Sequence, residues 1–169
     1  LYHDQKLNPM SFLRSEEFLN ILTECCIKDY PYTPFADAFH TMRSMLLPVL
    51  YLMGSEVPKA DVYHAICTGY GGLLACLGGH VYKKKVLLTE HGIYTREREE
   101  EIIRAKWVQP AFKKQWISFF YMLSDIIYTR AFLVSALFTN AMHAQIQMGC
   151  DKEKCRVVEN GINYERLSP

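Results

Sequence analysis

The chain has 169 residues, of which 50% are apolar, 22% charged and 13% aromatic, a composition that suits one globular domain with a sizeable core and excludes a disordered tail. Nineteen basic and eighteen acidic side chains leave a formal charge of +1. Broad electrostatic capture of nucleic acid or of an anionic membrane is therefore excluded, and any anion site has to be local. Six cysteines form no C-x-x-C pair, and several lie inside apolar runs where they read as small hydrophobes, which fits a reducing compartment.

The chain opens Leu-Tyr-His, with no basic stretch leading into an apolar one, so it reads as an excised piece without a signal peptide. Asn8-Pro9 supplies a cap and a first-turn proline, and Phe18, Leu22 and Cys25 or Cys26 follow at helical spacing, which predicts one helix to about Lys28. Thr33-Pro34 repeats the start signal. Phe35, Ala38, Phe39, Met42, Met45, Leu46, Val49 and Leu50 then form the stripe of a second, longer helix, with Pro48 placed to kink it. The apolar runs at 44–53 and 117–128 fall short of the roughly 20 residues a membrane span needs.

The pattern changes at residues 61–68, DVYHAICT, a short β-branched and aromatic run that leads straight into Gly69, Gly71 and Gly72. A strand, a tight turn and a helix over 70–82 follow; Lys83, Lys84 and Lys85 complement the helix C-terminus, and Val86 to Thr89 is the next strand. Charged residues 95–106 and the stripe Trp116, Phe119, Phe120, Leu123, Ile126, Ile127 predict two helices before a strand at 132–138. Thr139 or Asn140 caps a helix ending near Gly149, and Arg156 to Val158 forms a last strand before Glu159-Asn160-Gly161.

Four apolar strands alternating with helices argue a Rossmann-like α/β fold, a parallel sheet covered on both faces and joined by right-handed crossovers. Ligands of such sheets bind beyond the carboxyl ends of the strands, so three turns carry the functional reading. In Thr68-Gly69-Tyr70-Gly71-Gly72 the glycines allow close backbone approach at a helix N-terminus, although a tight turn with close helix packing explains them as well, and the G-x-G-x-x-G and P-loop spacings are absent. In Thr89-Glu90-His91-Gly92 an imidazole at a strand end can exchange hydrogen bonds with a substrate hydroxyl. Arg96 and Arg98 lie close enough to the same crevice to hold a phosphate or carboxylate, while residues 99–104 read as a solvated helix face. Val157 to Ile162 leaves the sheet into an Asn-Gly turn. His64 and Cys67 read as core residues, no zinc-type spacing occurs, and Cys150 and Cys155 flank a charged turn that an oxidising setting alone would bridge.

The ordered turns DVYHAICTGYGGLLA, VLLTEHGIYTREREEEI and LFTNAMHAQIQMGCDKEKCRVVENGIN resemble the N-terminal domain of the retaining, two-domain GT-B glycosyltransferases of the group 1 family. The E-H-G-I-Y-T-R-E-R-E run is similar to the PelF branch, which serves exopolysaccharide synthesis. The resemblance spans about residues 61–168. It implies that His91 reaches the transferred sugar or reaction centre, that Glu90, Arg96, Glu97, Asn140 and Gln145 line the cleft, and that no metal is required; Gly69, Gly71 and Gly72 join them as substrate-binding candidates on the strength of their turn alone. It implies further that a nucleotide sugar, UDP-linked, is the donor substrate and a glycan the acceptor, with no other cofactor. The donor-gripping E-x-x-x-x-x-x-x-E motif belongs to a C-terminal domain, and the opening strand and glycine-rich loop are expected before residue 1.

This implies a single domain fragment: a helical lead-in over 1–58, a βαβ core over 59–160 and the start of an interdomain linker over 161–169, inactive alone and cytoplasmic. At least one sheet edge is expected to be exposed or paired with another copy. A peripheral membrane contact through a polysaccharide-synthesis complex and self-association are both compatible with such a chain. A non-catalytic protein-interaction domain, rich in Tyr and Trp, is the alternative; a nucleotide-dependent oxidoreductase is disfavoured by the absent glycine fingerprint.

Overall fold

A computed structural model of the chain describes residues 8–161 and Arg166. The elements are α1 (Pro9–Phe12), α2 (Glu16–Asp29), α3 (Phe35–Met53), β1 (Val62–Ala65), α4 (Tyr70–Tyr82), β2 (Lys85–Glu90), α5 (Tyr94–Arg104), α6 (Pro110–Arg130), β3 (Leu133–Ala136), α7 (Thr139–Gln147), a 3-10 turn (Lys152–Lys154) and β4 (Cys155–Val157). The strands form one all-parallel sheet in the order β1-β2-β3-β4, so the α/β class stands. Ile162 and Asn163 of the expected exit, most of the linker, and residues 1–7 lie outside the described residues.

The N-terminal segment forms two helices where one was expected. Asn8 Oδ1 accepts from the Met10 and Ser11 amides at 3.0 and 3.1 Å and starts α1, but Ser15 Oγ caps the Phe18 amide at 3.2 Å and starts α2 anew. Two capping side chains so close together compete with continuous helix, and the intervening break places Leu13 in the core at 1% exposure. Helix α3 begins after Pro34 and α7 after Phe138, neither with a side-chain cap, so Thr33, Thr139 and Asn140 do not serve as the expected caps.

Helix α6 runs through two cores. Its inner end contributes Ile127 and Tyr128 to a core with Tyr63, Val86, Leu88 and Val134 of the sheet. Its outer half contributes Phe112, Trp116, Phe119, Phe120 and Leu123 to a second core with Leu13, Phe18, Leu22, Ala38 and Met45 of the lead-in. The Ser124 hydroxyl donates to Thr68 Oγ1, just past the end of β1, at 2.9 Å. Because α6 feeds β3 at the amino edge of the sheet, its residues before Ser124 rise past the strand tips. The lead-in helices pack on that overhang and against the first turns of α4 and α5.

The sheet is covered on one face, which corrects the expectation of two. Tyr63, Ala65, Val86, Leu88, Glu90, Val134 and Ala136 are buried, and Tyr128 and Gln145 reach Glu90 from α6 and α7 on this side. Among the described residues, the opposite face carries Val62 at 48% exposure together with exposed His64, Lys85 and Arg156. His64, expected in the core, is therefore on the open side. The cause is topological. Crossovers of one hand between strands in sequential order lay every helix on the same side, and only a reversal of strand order covers both. Val62, Leu87 and Leu133 on the open side made the strands read as continuously apolar.

Candidate functional site

The turns after β1 and β2 meet at the carboxyl edge, as parallel neighbours must. Gly69 has φ 90°, a conformation L side chains rarely adopt, and a Cβ there would strike the Tyr94 ring at the start of α5. The two strand-tip turns are thus packed against each other. Gly72 is buried, and a Cβ on it would meet Ile127 of α6 and the Cys67 carbonyl. Close packing accounts for these two glycines, and Gly71 is the exposed member of the trio.

His91 is exposed at the tip of β2, beside the Gly69 turn. A Cβ at Gly92 would collide with the Glu97 carboxylate, so the first turn of α5 folds back over the sharp exit from the strand. Arg96 and Glu97 are exposed on that turn, and Asn140 is exposed on the first turn of α7 past β3. Arg98 differs from Arg96. Its Nη2 lies 2.6 Å from Glu101 Oε2, its guanidinium lies 5.4 Å from the Tyr94 ring centroid, and its buried Nε has no hydrogen-bond partner.

Glu90 and Gln145, expected to line the cleft, lie sealed beneath it at 1% and 0% exposure. Glu90 Oε2 accepts from the Tyr128 hydroxyl at 2.7 Å and from Gln145 Nε2 at 3.0 Å. Its Oε1 has no close hydrogen-bond partner, although the Tyr94 backbone and the Thr68 hydroxyl are near enough to bias the carboxyl. Burial raises the Glu90 pKa above the ordinary carboxylate value, and the hydrogen bonds oppose that shift without cancelling it. Burial also raises the Tyr128 hydroxyl, helped by the adjacent Glu90. A second buried set links Thr95, Ser124 and Thr68 by hydroxyl hydrogen bonds. Together these groups tie β2, α5, α6 and α7 to the end of β1 directly under the exposed tips.

Tyr128, Ser124, Thr95 and Thr68 were not singled out from sequence. Ser124 and Tyr128 stand four apart on one face of α6, a spacing that a search for polar positions within apolar helices would have found. Cys150 and Cys155 are buried free thiols whose Sγ atoms lie 3.4 Å apart, and burial pushes the Cys150 thiol up to about 12. Among the described residues no group of three His, Cys, Asp or Glu side chains is arranged to hold a metal ion, and no helix is long and apolar enough to cross a membrane.

No curated protein matches the chain. A family model described as Domain of unknown function (DUF3492) matches residues 1–153, and this match together with the parallel α/β sheet fits a glycosyltransferase-like N-terminal domain. The match covers all the secondary structure up to the 3-10 turn, and the chain belongs to the DUF3492 family.

Proposed function

We propose that the chain is the acceptor-side, N-terminal domain of a cytoplasmic, retaining glycosyltransferase that draws on a UDP-linked sugar and extends an exopolysaccharide, in the manner of the PelF branch its sequence resembles. The observation that carries this reading is the position of His91, solvent-exposed at the tip of β2 beside the Gly69 turn, where an open sheet of this class receives its ligands. The family match and the sheet support it at the coarser level of a transferase-like N-terminal domain.

In this mechanism His91 hydrogen-bonds a hydroxyl of the transferred sugar, and exposed Arg96, Glu97 and Asn140 contact substrate along the rim. Glu90 and Gln145 act from beneath as positioning residues, holding β2 and α7 in register. The departing diphosphate is stabilised by a C-terminal donor-binding domain that closes over this one, so the isolated domain is inactive.

The test is sugar transfer by the longer protein that carries this domain, supplied with a UDP-sugar and a glycan acceptor. His91→Ala is expected to lower kcat by about 100-fold or more. Transfer at the unmodified rate removes His91 from the mechanism. The uncovered sheet face, with exposed Val62, Ile66 and Phe132, favours a second reading as a non-catalytic interaction domain. Concentration-dependent sedimentation of the chain, with no heat on adding a UDP-sugar to the longer protein, selects that reading.

A further inference from the structure

Both tryptophans of the chain stand at one place that the strand-tip site does not use. A cleft of about 220 Å³ opens between α3 and the 105–109 loop. One wall is a polar stripe of α3, with Asp37, His40, Thr41 and Ser44 on consecutive turns of the same helix face. The other holds Trp107, Gln109 and the edge of Trp116. Trp107 stands edge-on to Trp116 at 5.7 Å between ring centroids and leaves 65% of its surface in solvent. Trp116 is fixed by stacking on Phe120 at 5.9 Å, so the exposed indole is mounted on a rigid base.

The chemistry of these walls is selective. An exposed indole face attracts the weakly positive C–H groups of a sugar ring, as the negative face of its quadrupole requires. The Asp37 carboxylate, the Thr41 hydroxyl and the Gln109 side-chain amide make no hydrogen bond to protein among the described residues, which leaves acceptors and donors suited to ring hydroxyls. Trp107 also borders a neighbouring cleft of about 510 Å³ lined by Glu97, Glu100, Glu101 and Arg104. Arg104 faces Glu100 at 3.5 Å and Arg98 faces Glu101 at 2.6 Å, which leaves Glu97 on one side of the indole and Asp37 on the other as carboxylates without an ion-pair partner among the described residues. An anionic ligand is disfavoured there, and a nucleotide diphosphate with it.

The cleft lies on the same side of the molecule as His91. Ser124 of α6 meets Thr68 at the strand tips, and Trp116 lies two turns, ~12 Å, farther out along the helix. Helix α5, ~16 Å long, separates the turn holding His91 from the loop holding Trp107. One sugar ring does not span that distance, whereas an extended glycan does.

We propose that the Asp37–Trp107 cleft is a saccharide-binding subsite for a neutral pyranose unit of a glycan, remote from the strand tips. Its role as an acceptor subsite rests on the transferase reading, while sugar binding itself rests on the cleft alone. Tryptophan fluorescence tests it without interference, because the two tryptophans are the only ones and both border the cleft. The 169-residue chain is titrated with maltotetraose, chitotetraose and an oligogalacturonate of equal length, with calorimetry as the second readout.

A saturable emission change with maltotetraose or chitotetraose is expected, about tenfold weaker for the anionic oligomer. Trp107→Ala, a change at an exposed position, is expected to weaken neutral-sugar binding about tenfold, with Trp116 left as reporter. Asp37→Asn should weaken it by a few-fold while circular dichroism stays that of the parent. No saturable response to either neutral oligomer, or undiminished binding by Trp107→Ala, overturns the subsite. Binding by the chain with no transfer by the longer protein leaves the subsite standing and removes the transferase reading. Transfer without binding does the reverse.

Discussion

Thr89 and Glu90 are successive residues of β2, and they face opposite worlds. Thr89 turns to the open face, where its hydroxyl sits between His64 Nε2 at 2.8 Å and Ser135 Oγ at 2.7 Å in a row across three strands. Glu90 turns under the helices, where Tyr128 and Gln145 hold one carboxyl oxygen and nothing holds the other closely. Both rows are polar and both are hydrogen-bonded. Water can replace His64, the exposed member of that row, so its loss costs little, although Ser135 at the other end is buried at 5% exposure. On the covered side no water substitutes, and each lost partner leaves a buried group exposed to its full desolvation cost.

The largest effect that tests this contrast is Tyr128→Ala, which empties a site 1% exposed and strips Glu90 of its closest donor. Urea unfolding is expected to show a loss of about 3–5 kcal/mol. A loss below about 1 kcal/mol would mean that the covered face is not where this end of the sheet is held.

Glu90→Gln sharpens the comparison through pH. Burial raises the Glu90 pKa in the folded chain, so the fold binds this proton more tightly than the unfolded chain does. Its contribution is therefore fully present below the ordinary carboxylate pKa and declines as pH rises toward the folded value. Melting temperatures measured between about pH 5 and about pH 8 should fall with pH in the parent and do so less in Glu90→Gln. Identical slopes in the two proteins would show Glu90 ionised in the fold.

His64→Ala is the smallest of the three, with stability expected within about 0.5 kcal/mol of the parent. His64 is exposed and makes a single side-chain hydrogen bond. A cost approaching that of Tyr128→Ala would show that the open face is covered in solution by something that shields it from water.

Much of the βαβ unit was readable from local chemistry. The helix over 70–82 matches α4 end to end, because Gly69 precedes it and lysines follow it, and both signals act within a few residues. His91 was readable as a strand-end residue for the same reason. The bonds beneath it were not. Tyr128 reaches Glu90 across 38 positions and Ser124 reaches Thr68 across 56, and within their own segment both look like ordinary residues of an apolar helix. The cleft between Asp37 and Trp107 was equally hidden, since its walls come from a lead-in helix and from a loop between two later ones.

Residue order alone determined the alternation of strands and helices, the parallel class and the placement of Gly69 and His91 at strand ends, because caps, glycines and short apolar runs act on their own neighbourhood. The tertiary path decided which side of each strand meets helices, which carboxyl is sealed and which stays wet, and where the tryptophans come together. Alternation within a strand defines two faces without saying which is inside. That choice is made by the hand of the crossovers and by the order in which strands pair.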